Sequence, residues 1–235
     1  MNQPSLTVID DVAGAAAERI AATVREGGHI ALSGGSTPRA AHERVAREQL
    51  DWSPTQLWFG DDRAVGPEHE HSNYLMVRES LLDRIHGAQP QVHRIKGELG
   101  HADAATEYER ELSAAFGSGG PPRLDLVLLG LGPDAHTASL FPGGDALGER
   151  ERLAVGVDTP GMAPLVSRVT LTLPVLNAAH EVVFLISGED KAEAVARAFG
   201  DAPDPQAPAS LIRPAPGNLW VLLDASAASL LGEGA

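Results

Sequence analysis

The sequence contains no cysteine and has few basic residues relative to acidic ones. The absence of cysteine excludes disulfide bonds, a thiolate nucleophile and a cysteine-ligated zinc site, and it fits a cytoplasmic protein. Lys and Arg together number 18 against 32 Asp and Glu, which gives a formal net charge of -14. Because such a field repels polyphosphate, we expect neither a nucleic-acid partner nor binding to an anionic membrane surface.

Long apolar runs and an export leader are also missing. No stretch approaches the ~18 apolar residues that a membrane span requires. The chain begins Met-Asn-Gln-Pro-Ser, without a basic region followed by an apolar core. We therefore expect a soluble, unexported protein that contacts no membrane. Its 235 residues suffice for one sizeable core, so we expect residues 1–235 to form a single α/β domain, as a monomer or weak homo-oligomer.

Short apolar runs alternate with longer amphipathic runs along the chain. This alternation predicts repeated β-α units and a mainly parallel twisted sheet flanked by helices, with room for a small appended lobe. The predicted helices are Val12–Arg25, Pro38–Arg47, Asn73–Ile85, Ala102–Phe116 and Lys191–Phe199. The predicted strands are Leu6–Ile9, His29–Ser33, Leu57–Phe59, Val92–Ile95, Leu124–Leu129, Leu153–Val157, Val169–Thr172, Val182–Ile186 and Leu219–Leu223.

The strongest candidate for chemistry follows the strand Leu124–Leu129, where Asp134 and His136 come directly after a glycine-rich turn. Parallel sheets bind ligands beyond the carboxyl ends of their strands, and an Asp-x-His pair at that place suits proton transfer. The alternative is a capping Asp beside a packed His. Gly130–Ala135 also matches the dinucleotide-binding pattern, but Pro142 and the two glycines after it interrupt the helix that this motif requires.

A second candidate is the turn Ser33–Pro38, which follows a predicted strand and opens a predicted helix. Ser36 or Thr37 is expected to cap that helix, with Pro38 at its first position. Glycines let the main chain approach a ligand, and the positive end of a helix favours phosphate. The turn is therefore a candidate anion site, although an ordinary capped turn explains the same residues.

Charged and polar residues mark further candidates. Gly60–Arg63 follows the strand Leu57–Phe59, and its two carboxylates and guanidinium suit sugar hydroxyls or a developing negative charge. A solvated acidic turn is the simpler alternative. Ser72 and Asn73 begin a predicted helix and are expected to cap it. The segment from His69 to His71 lacks companion ligands, so we interpret it as a polar loop without a metal.

Two isolated basic residues complete the set. Arg168 precedes a predicted strand, and Lys191 opens a predicted helix. Lysine is rare in this chain, where the other one is Lys96. A cation at the start of a helix interacts unfavourably with the helix dipole, so the position of Lys191 is explained if this residue binds an anion. Exposure to solvent is the alternative.

In order and content, these motifs resemble the 6-phosphogluconolactonase family over essentially the whole chain. The segment around His136 is the motif specific to this family, whereas the glycine turn is shared with glucosamine-6-phosphate deaminases. The resemblance implies a Rossmann-like α/β fold and hydrolysis of 6-phosphoglucono-δ-lactone to 6-phosphogluconate in the oxidative pentose phosphate pathway. It implies no metal and no organic cofactor.

On this basis we hypothesise that His136 is the general base, that Asp134 orients it or a ring hydroxyl, that Arg63 stabilises the oxyanion and that Asp61 contacts sugar hydroxyls. The residues expected to bind substrate are Gly34, Gly35, Ser36, Thr37, Asn73, Arg168 and Lys191.

Two positions depart from the family pattern. Ala135 stands where the family usually has glycine, which is expected to restrict the main chain beside His136. Asp62 stands where it usually has glutamate. The deaminases carry a further glutamate soon after the histidine, and Thr137–Pro142 offers no acid. A sugar-phosphate sensor of similar fold would need a DNA-binding module, for which an acidic single domain leaves no room.

Overall fold

The short apolar runs of the sequence form β-strands. The computed structural model describes residues 4–200 and 202–232, so residues 1–3, 201 and 233–235 of the predicted domain lie outside the description. The strands of the described residues are β1 (Ser5–Val8), β2 (His29–Leu32), β3 (Gln56–Phe59), β4 (Asp61–Arg63), β5 (Gln91–Val92), β6 (Leu126–Leu129), β7 (Ala154–Val157), β8 (Arg168–Leu171), β9 (Glu181–Ile186) and β10 (Asn218–Leu223).

Seven of these strands form a parallel sheet in the order β1-β10-β9-β6-β2-β3-β5. The central strand β6 is apolar throughout, and all four of its residues are buried. A strand that is covered on both faces has this composition. The predicted α/β class with a mainly parallel sheet is therefore confirmed.

The amphipathic runs form the helices that cover this sheet. Helix α1 begins after Asp11, whose side chain accepts a 3.0 Å hydrogen bond from the Gly14 amide, and it packs against α2 and β9. Helix α4 packs against β7 and β8. The helices of the described residues are α1 (Val12–Glu26), α2 (Ser36–Val45), α3 (Asn73–Ser80), α4 (His101–Phe116), α5 (Leu173–Ala178) and α6 (Ala192–Val195).

Several predicted elements differ in extent. The helix predicted from Asn73 to Ile85 ends at Ser80 and is followed by a short 3₁₀ turn. The one predicted from Lys191 to Phe199 is α helical only over four residues, between a 3₁₀ turn and a π turn. Helix α5 is not among the predicted elements, because six residues are too few to establish a helical period.

A smaller antiparallel sheet accompanies the parallel one, in the order β4-β8-β7. The alternative of a solvated acidic turn at Gly60–Arg63 is therefore wrong, because residues 61–63 form β4 and both aspartates are buried. Gly60 joins the two sheets: its amide donates to the Leu32 carbonyl of β2 at 2.9 Å, and its own carbonyl accepts from the Leu171 amide of β8 at 2.9 Å. The chain thus passes directly from a parallel strand into the antiparallel ribbon.

None of the helices in the described residues has both the length and the apolar character that crossing a membrane would demand.

Candidate active site

A cavity of about 320 Å³ lies at the carboxyl ends of β2, β6 and β9, where α/β sheets commonly bind ligands. Ten of the eleven residues predicted for the site line this cavity. The eleventh, Asp134, contacts the His136 ring instead. The ten are Gly34, Gly35, Ser36, Thr37, Asp61, Arg63, Asn73, His136, Arg168 and Lys191.

The glycine turn brings the main chain to the cavity. Gly35 has a φ of +109°, a left-handed conformation that favours glycine, and α2 begins at Ser36 directly after it. The prediction that Ser36 or Thr37 caps this helix was wrong, because Gly35 holds the capping position without a side-chain hydrogen bond. Pro38 is likewise the third helical residue and not the first. The first amides of the helix have no partner within it.

Gly34 is needed for close packing. A Cβ at this position would lie 2.1 Å from Oδ1 of Asn73, so no larger residue fits unless Asn73 moves. Asn73 is itself buried at the start of α3, and its Oδ1 accepts a 2.8 Å hydrogen bond from a guanidinium nitrogen of Arg63. The glycine turn and Arg63 are thus linked through one amide side chain.

The His136 ring is held by its neighbour Asp134. Nδ1 of the imidazole lies 2.5 Å from Oδ1 of Asp134, which also accepts a 3.1 Å hydrogen bond from the His136 amide. Because a carboxylate oxygen can only accept, this contact favours the tautomer of a neutral imidazole in which Nδ1 donates and Nε2 has the lone pair. The side chain of His136 is 15% exposed. Gly132 leaves room for the ring, because a Cβ there would lie 2.0 Å from Nδ1.

Ala135, between these two residues, adopts the left-handed conformation that the sequence analysis regarded as restricted. Its φ is +65° and its side chain is fully buried. Its carbonyl accepts a 3.0 Å hydrogen bond from the Ala209 amide, so contacts from outside the turn help to fix this conformation. Position 135 therefore adopts a left-handed conformation even though alanine stands there in place of the glycine usual in the family.

The antiparallel ribbon places two arginines side by side. Arg63 of β4 is paired directly with Arg168 of β8, and both line the cavity together with Asp61, two residues before Arg63 on the same face. Like charges at directly opposed positions destabilise a sheet. An anion in the cavity would relieve this repulsion, so the register itself favours an anionic ligand.

Each guanidinium is partly held by carbonyl groups. Arg63 donates to the His71 carbonyl at 2.8 Å, and Arg168 donates to the carbonyls of Met162 and Pro164, both at 3.3 Å. Nε of each arginine is buried without a hydrogen-bond partner. Burial lowers the pKa of Arg168, and the charge of Asp61 opposes that effect. Arg63 makes its contacts through Nη1 and Arg168 through Nη2, so within the described residues the other terminal nitrogen of each guanidinium remains available as a donor.

Asp62 points away from the cavity and organises the start of α3. Its carboxylate accepts amide hydrogen bonds from Asn73 at 2.6 Å, Tyr74 at 3.0 Å and Arg63 at 2.7 Å. Burial raises the pKa of Asp62 to about 6, although these amides act in the opposite direction. Ser72 is the helix cap, as predicted, and its Oγ accepts from the Leu75 amide at 3.2 Å. The shorter acid at position 62 reaches all three amides.

Lys191 lies at the end of the 3₁₀ turn that follows β9. Its Nζ is 3.2 Å from Oδ2 of Asp190, and Lys191 lines the same cavity as the glycine turn. Asp190 is largely exposed, so this pair is screened by solvent. The lysine can therefore turn to an anion in the cavity at little cost.

The sequence analysis did not single out two further residues at the site. Ser139 is buried and donates a 2.6 Å hydrogen bond to Oδ2 of Asp61. The Phe141 ring lies 4.5 Å from the His136 ring and 5.4 Å from the Arg168 guanidinium carbon. Both belong to the segment after His136, but a serine and a phenylalanine in a turn carry no local signal of such contacts.

Comparisons with known proteins show the family to which this chain is similar. A family model described as "Glucosamine-6-phosphate isomerases/6-phosphogluconolactonase" matches residues 5–221. A 6-phosphogluconolactonase from Nostoc sp. is 42% identical over 206 residues, which cover 86% of this chain and 84% of the relative. The Homo sapiens 6-phosphogluconolactonase is 40% identical over 208 residues, covering 86% of this chain and 80% of the relative.

A solved structure gives the same result at the level of the fold. The 6-phosphogluconolactonase from Trypanosoma cruzi superposes with a TM-score of 0.86 at 29% identity, and the match covers 97% of each chain. The sequence match extends from β1 into β10 and so includes every element that lines the cavity. This chain belongs to the family of glucosamine-6-phosphate isomerases and 6-phosphogluconolactonases.

Proposed function

We propose that this chain hydrolyses 6-phosphoglucono-δ-lactone to 6-phosphogluconate, the lactone step of the oxidative pentose phosphate pathway. The observation that carries the proposal is the shared cavity, in which an imidazole, two arginines and a glycine turn surround one space of about 320 Å³. That volume is in the range of small-molecule sites. The names of the relatives support the same reaction.

In the proposed mechanism, His136 activates a water molecule. Nε2 of the imidazole takes a proton from the water, whose oxygen attacks C1 of the lactone. Asp134 stabilises the imidazolium through the Nδ1 hydrogen bond of 2.5 Å. The C1–O5 bond then breaks, and the imidazolium returns the proton to O5. A lactone is an activated ester, so the factor of about 10² to 10⁴ that a positioned base supplies is useful here.

Arg63 stabilises the negative charge that develops on the carbonyl oxygen. Its guanidinium is oriented by the His71 carbonyl and by Asn73, each at 2.8 Å from Nη1, and Arg63 lines the cavity. A fixed donor of this kind acts at the transition state without having to reorganise. Asp61, on the same face of β4, accepts hydrogen bonds from sugar hydroxyls.

The phosphate group is held at the other end of the cavity. The main chain of Gly34 and Gly35 approaches it, the first amides and side chains of α2 at Ser36 and Thr37 donate to it, and Lys191 and Arg168 supply charge. Anchoring C6 in this way fixes C1 beside the base, so binding energy from the phosphate serves the reacting carbon.

Acid release from freshly generated 6-phosphogluconolactone tests the proposal. The protein should accelerate acid release well above spontaneous hydrolysis, and kcat/KM should fall by about 10²-fold or more on phosphate-free gluconolactone. Equal turnover of the two lactones would contradict the role of the phosphate site.

Glucosamine 6-phosphate serves as the control substrate, because the matched family also includes isomerases of that compound. We expect no ammonia from it. Ammonia release without lactone hydrolysis would reject the proposed function in favour of deamination.

A further inference from the structure

The segment that carries His136 also carries Ser139, which has no role in the mechanism above. Ser139 is fully buried and does not line the cavity, so it is out of reach of a bound substrate. Its Oγ donates a 2.6 Å hydrogen bond to Oδ2 of Asp61, and its amide donates to Oγ1 of Thr170 at 3.2 Å. Any effect of this hydroxyl on a reaction must therefore pass through Asp61.

The turn between His136 and Ser139 is fixed by its own hydrogen bonds. Thr137 donates from Oγ1 to the Gly130 carbonyl at 2.9 Å, and the Leu140 amide donates to the Thr137 carbonyl at 2.9 Å. Ala138 completes the turn with a φ of +48°. The positions of the imidazole and of the Ser139 hydroxyl are consequently set by one short piece of main chain.

Asp61 depends on this hydroxyl for its orientation. Within the described residues its carboxylate accepts one further side-chain hydrogen bond, from Nδ2 of Asn73 to Oδ1, which is long at 3.4 Å. The carboxylate is nearly buried, and its negative charge counteracts the lowering of the Arg168 pKa by burial. A change in its orientation would therefore alter both the sugar-binding surface and the balance of charge around the arginines.

We propose that Ser139 is a positioning residue, which acts through Asp61 to fix that carboxylate relative to the His136 imidazole. This inference rests on the proposed lactone hydrolysis. It concerns a contact between two elements that are far apart in the chain, since Asp61 lies on β4 and Ser139 follows β6. Its consequence is that turnover depends on a hydroxyl that never meets the substrate.

The test compares Ser139→Ala with Ser80→Ala, a matched loss of a buried hydroxyl outside the cavity. Ser80 donates to the Met76 carbonyl at the end of α3. We expect Ser139→Ala to lower kcat by about 10- to 100-fold with KM changed by less than about threefold, because one charge-assisted hydrogen bond is lost near the reacting atoms. Ser80→Ala should lower the melting temperature by about as much as Ser139→Ala does, but its kcat should stay within about twofold of that of the unmodified protein.

A double-mutant cycle distinguishes positioning from a general structural effect. In the Asp61→Asn background, Ser139→Ala should lower the single-turnover rate constant by less than about threefold further. The charge through which Ser139 acts is absent from that background. An equal loss in both backgrounds, or an unchanged kcat for Ser139→Ala alone, would overturn the inference. Absence of lactone hydrolysis by the unmodified chain would instead reject the proposed function.

Discussion

Two parts of the cavity lining are built by different means: the glycine end, formed by residues 34–37, and the imidazole end, formed by His136 and Asp61. At the glycine end, the main chain of the turn after β2 and the first amides of α2 form the surface, and Lys191 is one of two basic side chains assigned to it. At the imidazole end, side chains form the surface, and each is held by a partner: His136 by Asp134, and Asp61 by Ser139. Backbone geometry governs the first end, and side-chain hydrogen bonds govern the second.

This difference teaches where each end is vulnerable. The glycine end is sensitive to any added Cβ, since Gly34 has Asn73 Oδ1 at 2.1 Å from where that atom would lie. The imidazole end is sensitive to removal of single polar atoms, because buried partners are then left unpaired. In the proposed mechanism the first end binds and the second reacts, so substitutions should separate KM from kcat.

The largest expected effect is at the imidazole. His136→Ala removes the proposed base, so kcat should fall by about 10² to 10⁴-fold while KM stays within about threefold. Steady-state kinetics of lactone hydrolysis measure both constants. The exposed His86 provides a control, and His86→Ala should behave as the unmodified protein. Undiminished kcat in the His136 variant would remove that residue from the base role.

At the glycine end, the expected effect is on binding. Lys191→Ala removes a cation from the phosphate site, so KM should rise by about 10-fold or more with kcat within about twofold. Lys96→Ala is the matched control, because the only other lysine pairs with Glu107 and Glu111 outside the cavity. A rise in KM that is equally large for phosphate-free gluconolactone would contradict the assignment to phosphate.

Tyr108, which does not line the cavity, holds the end of β3, from which the antiparallel ribbon starts. Its buried hydroxyl accepts the Phe59 amide at 2.8 Å and donates to the Phe59 carbonyl at 2.9 Å. Burial raises the pKa of Tyr108, so the hydroxyl stays protonated and able to donate. Tyr108→Phe leaves both main-chain groups unpaired and should lower the free energy of unfolding by about 1–3 kcal/mol.

Urea unfolding checks this value, with Tyr74→Phe as the control. The Tyr74 hydroxyl makes no hydrogen bond within the described residues, and the contacts of its ring with Phe59 and with the Arg94 guanidinium do not require the hydroxyl. The control should change stability by less than about 0.5 kcal/mol. Equal losses for the two variants would show that the Phe59 main-chain groups do not depend on Tyr108.

The elements that the sequence predicts well are those with a local signal. The apolar run of β6 and the glycines after β2 indicate a ligand-binding edge from their own composition, and His136 and Gly35 do lie around one cavity. Strand β4 was missed because three charged residues have no strand pattern, and their pairing with β8 joins segments about a hundred residues apart. The contact between Ser139 and Asp61 depends on the same long-range pairing.

The smallest expected effect concerns Ala135, whose backbone conformation is unfavourable for alanine and is held by a tertiary hydrogen bond. Replacement by glycine removes a left-handed strain of about 1–2 kcal/mol. It also removes a buried methyl group worth about 0.8 kcal/mol, and it adds about 0.5–1 kcal/mol of backbone entropy to the unfolded chain. These terms offset one another, so Ala135→Gly should change the free energy of unfolding by less than about 1 kcal/mol.

Turnover should change as little, because the turn is also fixed from outside by the Ala209 amide and, at its far end, by the hydrogen bonds of Thr137. Urea unfolding and kcat for lactone hydrolysis check both expectations, and a fall in kcat of about tenfold would instead show that the Ala135 methyl group positions the imidazole. An unchanged kcat would show that the His136 ring is held by its hydrogen bond to Asp134 and by the hydrogen bonds of the turn, and not by the Ala135 methyl group.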